Sequence, residues 1–171
     1  MASGLTLNEA QEYLARIHYR GPKEPTIDTL SELQRCHILT VPFENLSVFG
    51  KEKISLSKDW LFDKIVRRHR GGFCFELNTM LSFLLDYFGF KYKTHATMVY
   101  SRITGRISQQ FSHQVLVVNI GGELWLTDVA FGDLCWMPLR LTGLAEEQEQ
   151  QSGTYRIRKD GDFYKIGRAH V

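Results

Sequence analysis

The hydrophobic period of this chain changes once, near residue 90, and that change restricts the architectures open to it. Up to Phe88 the apolar residues recur at helical spacing; from Lys91 they alternate as in strands. Thr6 or Asn8 can cap a first helix carrying Tyr13, Leu14 and Ile17, which ends near Gly21-Pro22. Thr26 and Asp28 open a second, with Leu30, Leu33 and Ile38, that Pro42 stops. The following VPFENL reads as an ordered loop. Ser57 and Asp59 open a third helix with Trp60, Leu61, Ile65 and Val66. A fourth, Cys74 to Phe88, is apolar nearly all round and closes at Gly89, which predicts a central, buried helix.

Beyond Lys91, THATMVYSRI, FSHQVLVVNI and ELWLTDVAF are strand candidates, and GTYRIRK with DFYKI forms a hairpin about Asp160-Gly161. AEEQEQQSG reads as a solvated connection. Helices first and antiparallel strands after predict an α+β chain, with a helical domain over 1–90 and an antiparallel β domain over 91–165. At 171 residues there is room for one sizeable core or two small ones.

Charge and cysteine usage narrow the function classes. A net charge of +2 is too small to argue for nucleic acid, and no apolar run is long enough for a membrane span. Cys36, Cys74 and Cys135 are odd in number and widely spaced. That argues against a disulfide framework and a CxxC metal site, and fits a reducing cytoplasm.

One hairpin places chemistry. If Gly121-Gly122 is a two-residue loop, Ile120 faces Glu123, Val115 faces Asp128 and His113 faces Ala130. His113 and Asp128 are then diagonal neighbours on one face, with Cβ atoms roughly 7–8 Å apart. Val115, Val117, Leu124 and Leu126 share that face, so the pair is expected on the buried side, where a carboxylate needs a partner. Cys74 sits at the first turn of the fourth helix, in RRHRGGFCFELN, where backbone N–H groups favour a thiolate. Gly71 and Gly72 before it allow tight backbone geometry and leave room for a substrate. Singly, each residue has an ordinary reading: a core cysteine, a satisfied histidine, a turn aspartate. Register joins two of them and helix position singles out the third, which gives a Cys-His-Asp triad in chain order.

RGGFCFELN, with VPFENL before it and SHQVLVV and LTDVAFGD after it, resembles the arylamine N-acetyltransferases of bacterial type, in the same order and over nearly the whole chain to about Pro138. The resemblance places the catalytic residues on Cys74, His113 and Asp128. It implies a ping-pong transfer from acetyl-CoA through a Cys74 thioester to an arylamine or hydrazine, with no metal and no bound prosthetic group. It implies that Phe43 and Phe131 line the acceptor pocket, although core packing is the plain alternative for both, and that Glu44 and Arg70 form an ion pair bracing the active-site loop. Ala130 stands where the family usually has glycine and Ser112 where threonine is common; Ala130 would resist a positive φ. The family fold implies a helical bundle followed by a β-barrel-like domain with a cysteine-protease-like core, and an α/β third domain that this chain lacks. The ending, Ile166 to Val171, reads as a non-native tail, because IGRAHV matches a translated sequencing adapter; the chain is therefore expected to be a C-terminally truncated fragment. A papain-like or transglutaminase-like thiol hydrolase would use the same triad in the same order. A module that binds aromatic ligands or a partner through an uncovered strand edge is the reading outside catalysis.

Overall fold

The computed structural model describes residues 4–101, 103–132, 135–142 and 146–168. Helix α1 (Leu7–Arg16) begins where Thr6 accepts the Glu9 N–H and Glu9 reaches back to the Thr6 N–H, a reciprocal cap. Helix α2 (Ile27–Thr40) begins at Thr26, whose hydroxyl accepts the Thr29 N–H. The expected VPFENL loop runs into a short helix, α3 (Leu46–Phe49), at its last residue. The third predicted helix is α4 (Lys58–Leu61), continued by a π-helical turn over Phe62–Arg67. Helix α5 (Cys74–Tyr87) is the buried one: Leu77, Met80, Leu81, Leu84 and Leu85 are fully enclosed.

Arg16 of α1 ties this layer together. Its Nη1 donates to Thr40 O at the end of α2 and its Nε to Ile65 O of the π-helical turn. A guanidinium thus satisfies a helix terminus that the chain would otherwise leave with orphan carbonyls.

The β half forms three antiparallel sheets among the described residues. The largest runs β1 (Lys91–Thr97), β4 (His113–Ile120), β5 (Glu123–Thr127) and β6 (Leu139–Arg140), in the order β1-β4-β5-β6. A hairpin pairs β2 (Tyr100–Ser101) with β3 (Arg106–Ile107). The third sheet is β7 (Glu147–Gln150), β8 (Gly153–Asp160) and β9 (Phe163–Arg168). Leu116 and Val118 of β4 pack against the helices, and Val115 packs with Leu126, Leu139, Tyr155 and Ile157 on the other side. The central sheet therefore lies between the helical layer and the β7-β8-β9 sheet, and β4 is buried on both faces.

Three expectations are corrected here. No sheet closes into a barrel among the described residues; two open sheets face each other across a small core. The polar segment expected to be a connection contains β7, which pairs with β8. Strand candidate THATMVYSRI is broken into β1 and β2, with Arg102 outside the described residues. Of the predicted tail, Ile166, Gly167 and Arg168 pair with β8 as the end of β9, and residues 169–171 lie outside the described residues. No helix among the described residues is long and apolar enough to cross a membrane.

Candidate active site

The entrance to α5 is built by two backbone strands in contact. Phe43 bridges Gly72 in parallel fashion; Glu44 N donates to Gly72 O at 2.9 Å and Gly72 N to Pro42 O at 3.3 Å. A Cβ on Gly71 would lie 1.9 Å from Pro42 O, so the tight backbone approach here requires glycine. A Cβ on Gly72 would press on the Glu76 side chain. Phe73 is extended, its N–H donates to Glu76 Oε2 at 3.2 Å, and the helix starts at Cys74.

Charges fix this entrance from below. Arg70 Nη2 donates to Glu44 Oε1 at 2.8 Å, the contact expected of that pair, and Glu44 Oε2 accepts the Leu46 N–H. Lys64 Nζ, with a side chain only 2% exposed, donates to both carboxylate oxygens of Glu76 and lies 3.7 Å from Glu44. Arg70, Glu44, Lys64 and Glu76 thus form one chain of alternating charge under residues 71–74. Burial raises the Glu44 carboxyl, but hydrogen bonds from the Leu46 N–H and Arg70, together with the Lys64 charge, outweigh it and hold the group below its ordinary range.

Two glycines set the opposite wall. Gly121 and Gly122 both adopt positive φ, 60° and 92°, as a two-residue hairpin between β4 and β5 requires. The ladder pairs Ile120 with Glu123 and continues to Leu116 with Thr127, the register expected from the sequence. Regular pairing stops there, and Asp128 follows directly. His113 Nε2 lies 2.6 Å from Asp128 Oδ2, with both residues buried. That bond leaves Nδ1 of the ring for the thiol of Cys74, which lies 3.9 Å from Ser112 O beside it. Ala130 has no positive φ, so replacing the usual glycine causes no strain there; its N–H donates to Asp128 Oδ1 at 2.9 Å.

The electrostatics follow. Burial pushes the Cys74 thiol up, but the His113 ring, the Gln114 N–H and the Phe75 N–H outweigh it, and the thiol titrates below its ordinary value. Burial pulls His113 down, whereas Asp128 and Cys74 pull it up further, to about 9. The two shifts run in the same sense, each favouring the charged form of its group. The other thiols are different: burial pushes Cys36 up to about 11 and Cys135 up to about 12.

Of the two predicted pocket aromatics, Phe131 stands edge-on to the His113 ring, 5.3 Å between centroids. Phe43 is 52% exposed, which removes core packing as its explanation. Sequence reasoning did not single out Lys64, Glu76, Asn78 or Gln34. Asn78 Nδ2 donates to Asp128 Oδ1 at 2.9 Å, and Gln34 Oε1 accepts the Asp128 N–H at 3.3 Å. Glu76 and Asn78 did carry a signal, as polar residues inside a mostly apolar helix; Gln34 carried none. Among the described residues no group of three or more His, Cys, Asp or Glu side chains is placed to hold a metal ion.

Known proteins match this chain in sequence and in fold. The family model described as N-acetyltransferase matches residues 26–170. The pineal gland isozyme NAT-3 of arylamine N-acetyltransferase from Gallus gallus is 35% identical over 160 residues, which cover 91% of this chain and 55% of that protein. The solved arylamine N-acetyltransferase of Salmonella typhimurium superposes with a TM-score of 0.89 at 29% identity, over 97% of this chain and 60% of that one. The Mycobacterium marinum enzyme, solved in complex with CoA, superposes with a TM-score of 0.82 at 32% identity, over 92% and 59%. The chain thus spans a little over half the length of these relatives. Bacterial and vertebrate proteins both match, so the comparisons do not single out the bacterial type. With four motifs, the fold and the matched residues in agreement, this chain belongs to the arylamine N-acetyltransferase family.

Proposed function

We propose that Cys74, His113 and Asp128 are a catalytic triad that moves an acetyl group from acetyl-CoA to the nitrogen of an arylamine or hydrazine. The observation that carries this reading is the buried His113–Asp128 hydrogen bond of 2.6 Å beside a thiol at a helix N-terminus. The Cys74 thiolate attacks the acetyl carbonyl; a carbon–sulfur bond forms, and the CoA thiolate leaves with a proton from the His113 imidazolium. The amine then attacks the thioester, its proton passes to His113, and Cys74 leaves as thiolate. Asp128 holds the ring in the tautomer that both steps need. The CoA complex of the Mycobacterium marinum relative and the names of the others support this donor and acceptor class.

The same reading assigns Phe131 and Phe43 to the acceptor pocket. An aromatic edge against His113 and an exposed ring beside Gly72 suit an aryl substrate. Glu44, Arg70, Gly71 and Gly72 support the site. The reading divides the chain into a helical part over 1–90 that carries the nucleophile and a β part over 91–165 that carries His and Asp, with Ile166–Val171 as a non-native tail. The barrel and the α/β third domain of the family would lie in the part of the relatives this chain does not span, in keeping with coverage of about 60% of their length. Three free thiols fit a cytoplasmic location.

Intact-mass measurement after brief incubation with acetyl-CoA tests the assignment. One acetyl group on the wild type and none on a folded Cys74→Ser variant is the expected result. An adduct on both, or cleavage of a peptide ester with no response to acetyl-CoA, would overturn it in favour of a bystander thiol or a thiol hydrolase.

A further inference from the structure

Asp128 has two carboxylate oxygens, and only one of them faces His113. The other, Oδ1, accepts from the Ala130 N–H at 2.9 Å and from Asn78 Nδ2 at 2.9 Å. Asn78 is wholly buried, and each half of its amide is engaged: Nδ2 also donates to Gln114 O at 2.7 Å, and Oδ1 accepts the Val129 N–H at 3.1 Å. A reversed amide would set an N–H against an N–H and oxygen against two oxygens, so the orientation follows from its partners.

The position of Asn78 matters as much as its bonds. It lies four residues after Cys74 on α5, on the same face of the helix. Gln114 is the residue after His113, and Val129 the residue after Asp128. One side chain on the helix of the nucleophile therefore holds the backbone beside the histidine, the backbone beside the acid, and the acid itself. The geometry points to Asn78 as a positioning residue, which registers α5 against β4 and the segment after β5 so that Asp128 presents Oδ2 to His113. This rests on the triad reading above.

Truncating Asn78 has two opposed effects that a measurement can separate. A carboxylate that loses a donor becomes a stronger base, which strengthens its pull on His113 and lowers the pH at which Cys74 ionises. A carboxylate that loses its anchor turns away from His113, which raises it. If Asn78 positions, the second effect dominates.

The test is the rate of Cys74 alkylation by iodoacetamide as a function of pH, in the wild type, Asn78→Ala and Asn78→Ser, each checked for folding by circular dichroism. The expected result is a midpoint raised by about one pH unit, a tenfold loss of thiolate below it. Acetylation by acetyl-CoA should slow by up to about 100-fold, the order of loss that a small misplacement of a reacting group produces. An unchanged or lowered midpoint in a folded variant would overturn the proposal, however much the thermal stability falls. If neither variant folds, the wild type carries the test: the Asn78 side-chain amide protons should shift in NMR spectra as His113 titrates, and protons that stay still would refute the coupling. Alkylation needs no acyl donor. A raised midpoint with no acetylation of the wild type, nor of a chain extended to the full length of the relatives, would therefore keep the positioning role and sink the transferase reading.

Discussion

His37 offers a quantitative test of how the helical layer is held. It sits in the last turn of α2, where a protonated imidazole would ordinarily be favoured by the helix dipole. Here it is wholly buried, neither ring nitrogen has a hydrogen-bond partner among the described residues, and its ring stands edge-on to Tyr13 at 5.9 Å. Arg16 already satisfies the α2 terminus through Thr40 O, so the dipole position is taken by a permanent cation. Burial, and then the Arg16 charge, depress the His37 pKa from 6.5 to about 3.

A depressed histidine contributes stability that is present above its unfolded pKa and lost as the pH falls below it, because only the unfolded chain takes up the proton. Between pH 7 and pH 5 the loss is about 2 kcal/mol. His113 works the other way. Its folded pKa is raised to about 9, so its contribution is complete below 6.5 and fades as the pH rises through 9. From pH 7 to pH 5 it adds about 1 kcal/mol. His37→Phe keeps an aromatic ring against Tyr13 and removes the titration. Any constant cost of the larger ring cancels, because only the pH dependence is compared. Urea unfolding followed by circular dichroism at pH 7 and pH 5 should show wild type and variant diverging by about 2 kcal/mol across the interval. Parallel pH dependence in the two proteins would refute the reasoning, since His37 would then be charged or hydrated in the folded state.

Two further changes test the support of the nucleophile. Glu76→Gln leaves the Lys64 ammonium buried with only Glu44 at 3.7 Å, and should lower the unfolding free energy by about 3–5 kcal/mol in urea titration. Gly71→Ala sets a methyl group against Pro42 O and should cost about 1–3 kcal/mol in thermal melts, whereas Gly132→Ala, with open space around it, should cost almost nothing.

Where the sequence was legible, the determinant was local. Thr6 and Thr26 cap their helices through groups three residues away, and Gly121-Gly122 sets the β4–β5 register by itself. Where it was not, a polar residue had an unexpected partner. The run over Glu147–Gln150 lacks any apolar alternation, yet it is a strand. Its glutamines explain why: Gln148 bonds both N–H and C=O of Arg140, and Gln150 bonds both those of Met137. Side-chain amides there stand in for a ladder, so a polar strand is held to its neighbour by groups that a hydrophobic pattern does not register. The π-helical turn over Phe62–Arg67 and the short helix α3 lack a comparable local signal.

The candidate site divides along the same line. His113 and Asp128 are 15 residues apart and joined by one tight hairpin, so their meeting could be worked out from register. Asn78 and Asp128 are 50 residues apart, and Gln34 and Asp128 are 94 apart, across elements whose relative placement no local rule supplies. What the chain does show is that Glu76 and Asn78 lie among the apolar residues of a helix whose other polar positions are Thr79, Ser82 and Asp86. Burying an amide or a carboxylate without partners is costly, so each must have partners in the core, although the sequence does not say which. Cys74 is an intermediate case: its helix position marks it as an ionisable thiol, but nothing local brings it to His113. A buried polar residue in an apolar helix can therefore be a sign of assembly at a distance, and on the helix that carries the nucleophile the two with partners on other elements, Glu76 and Asn78, stand on either side of Leu77.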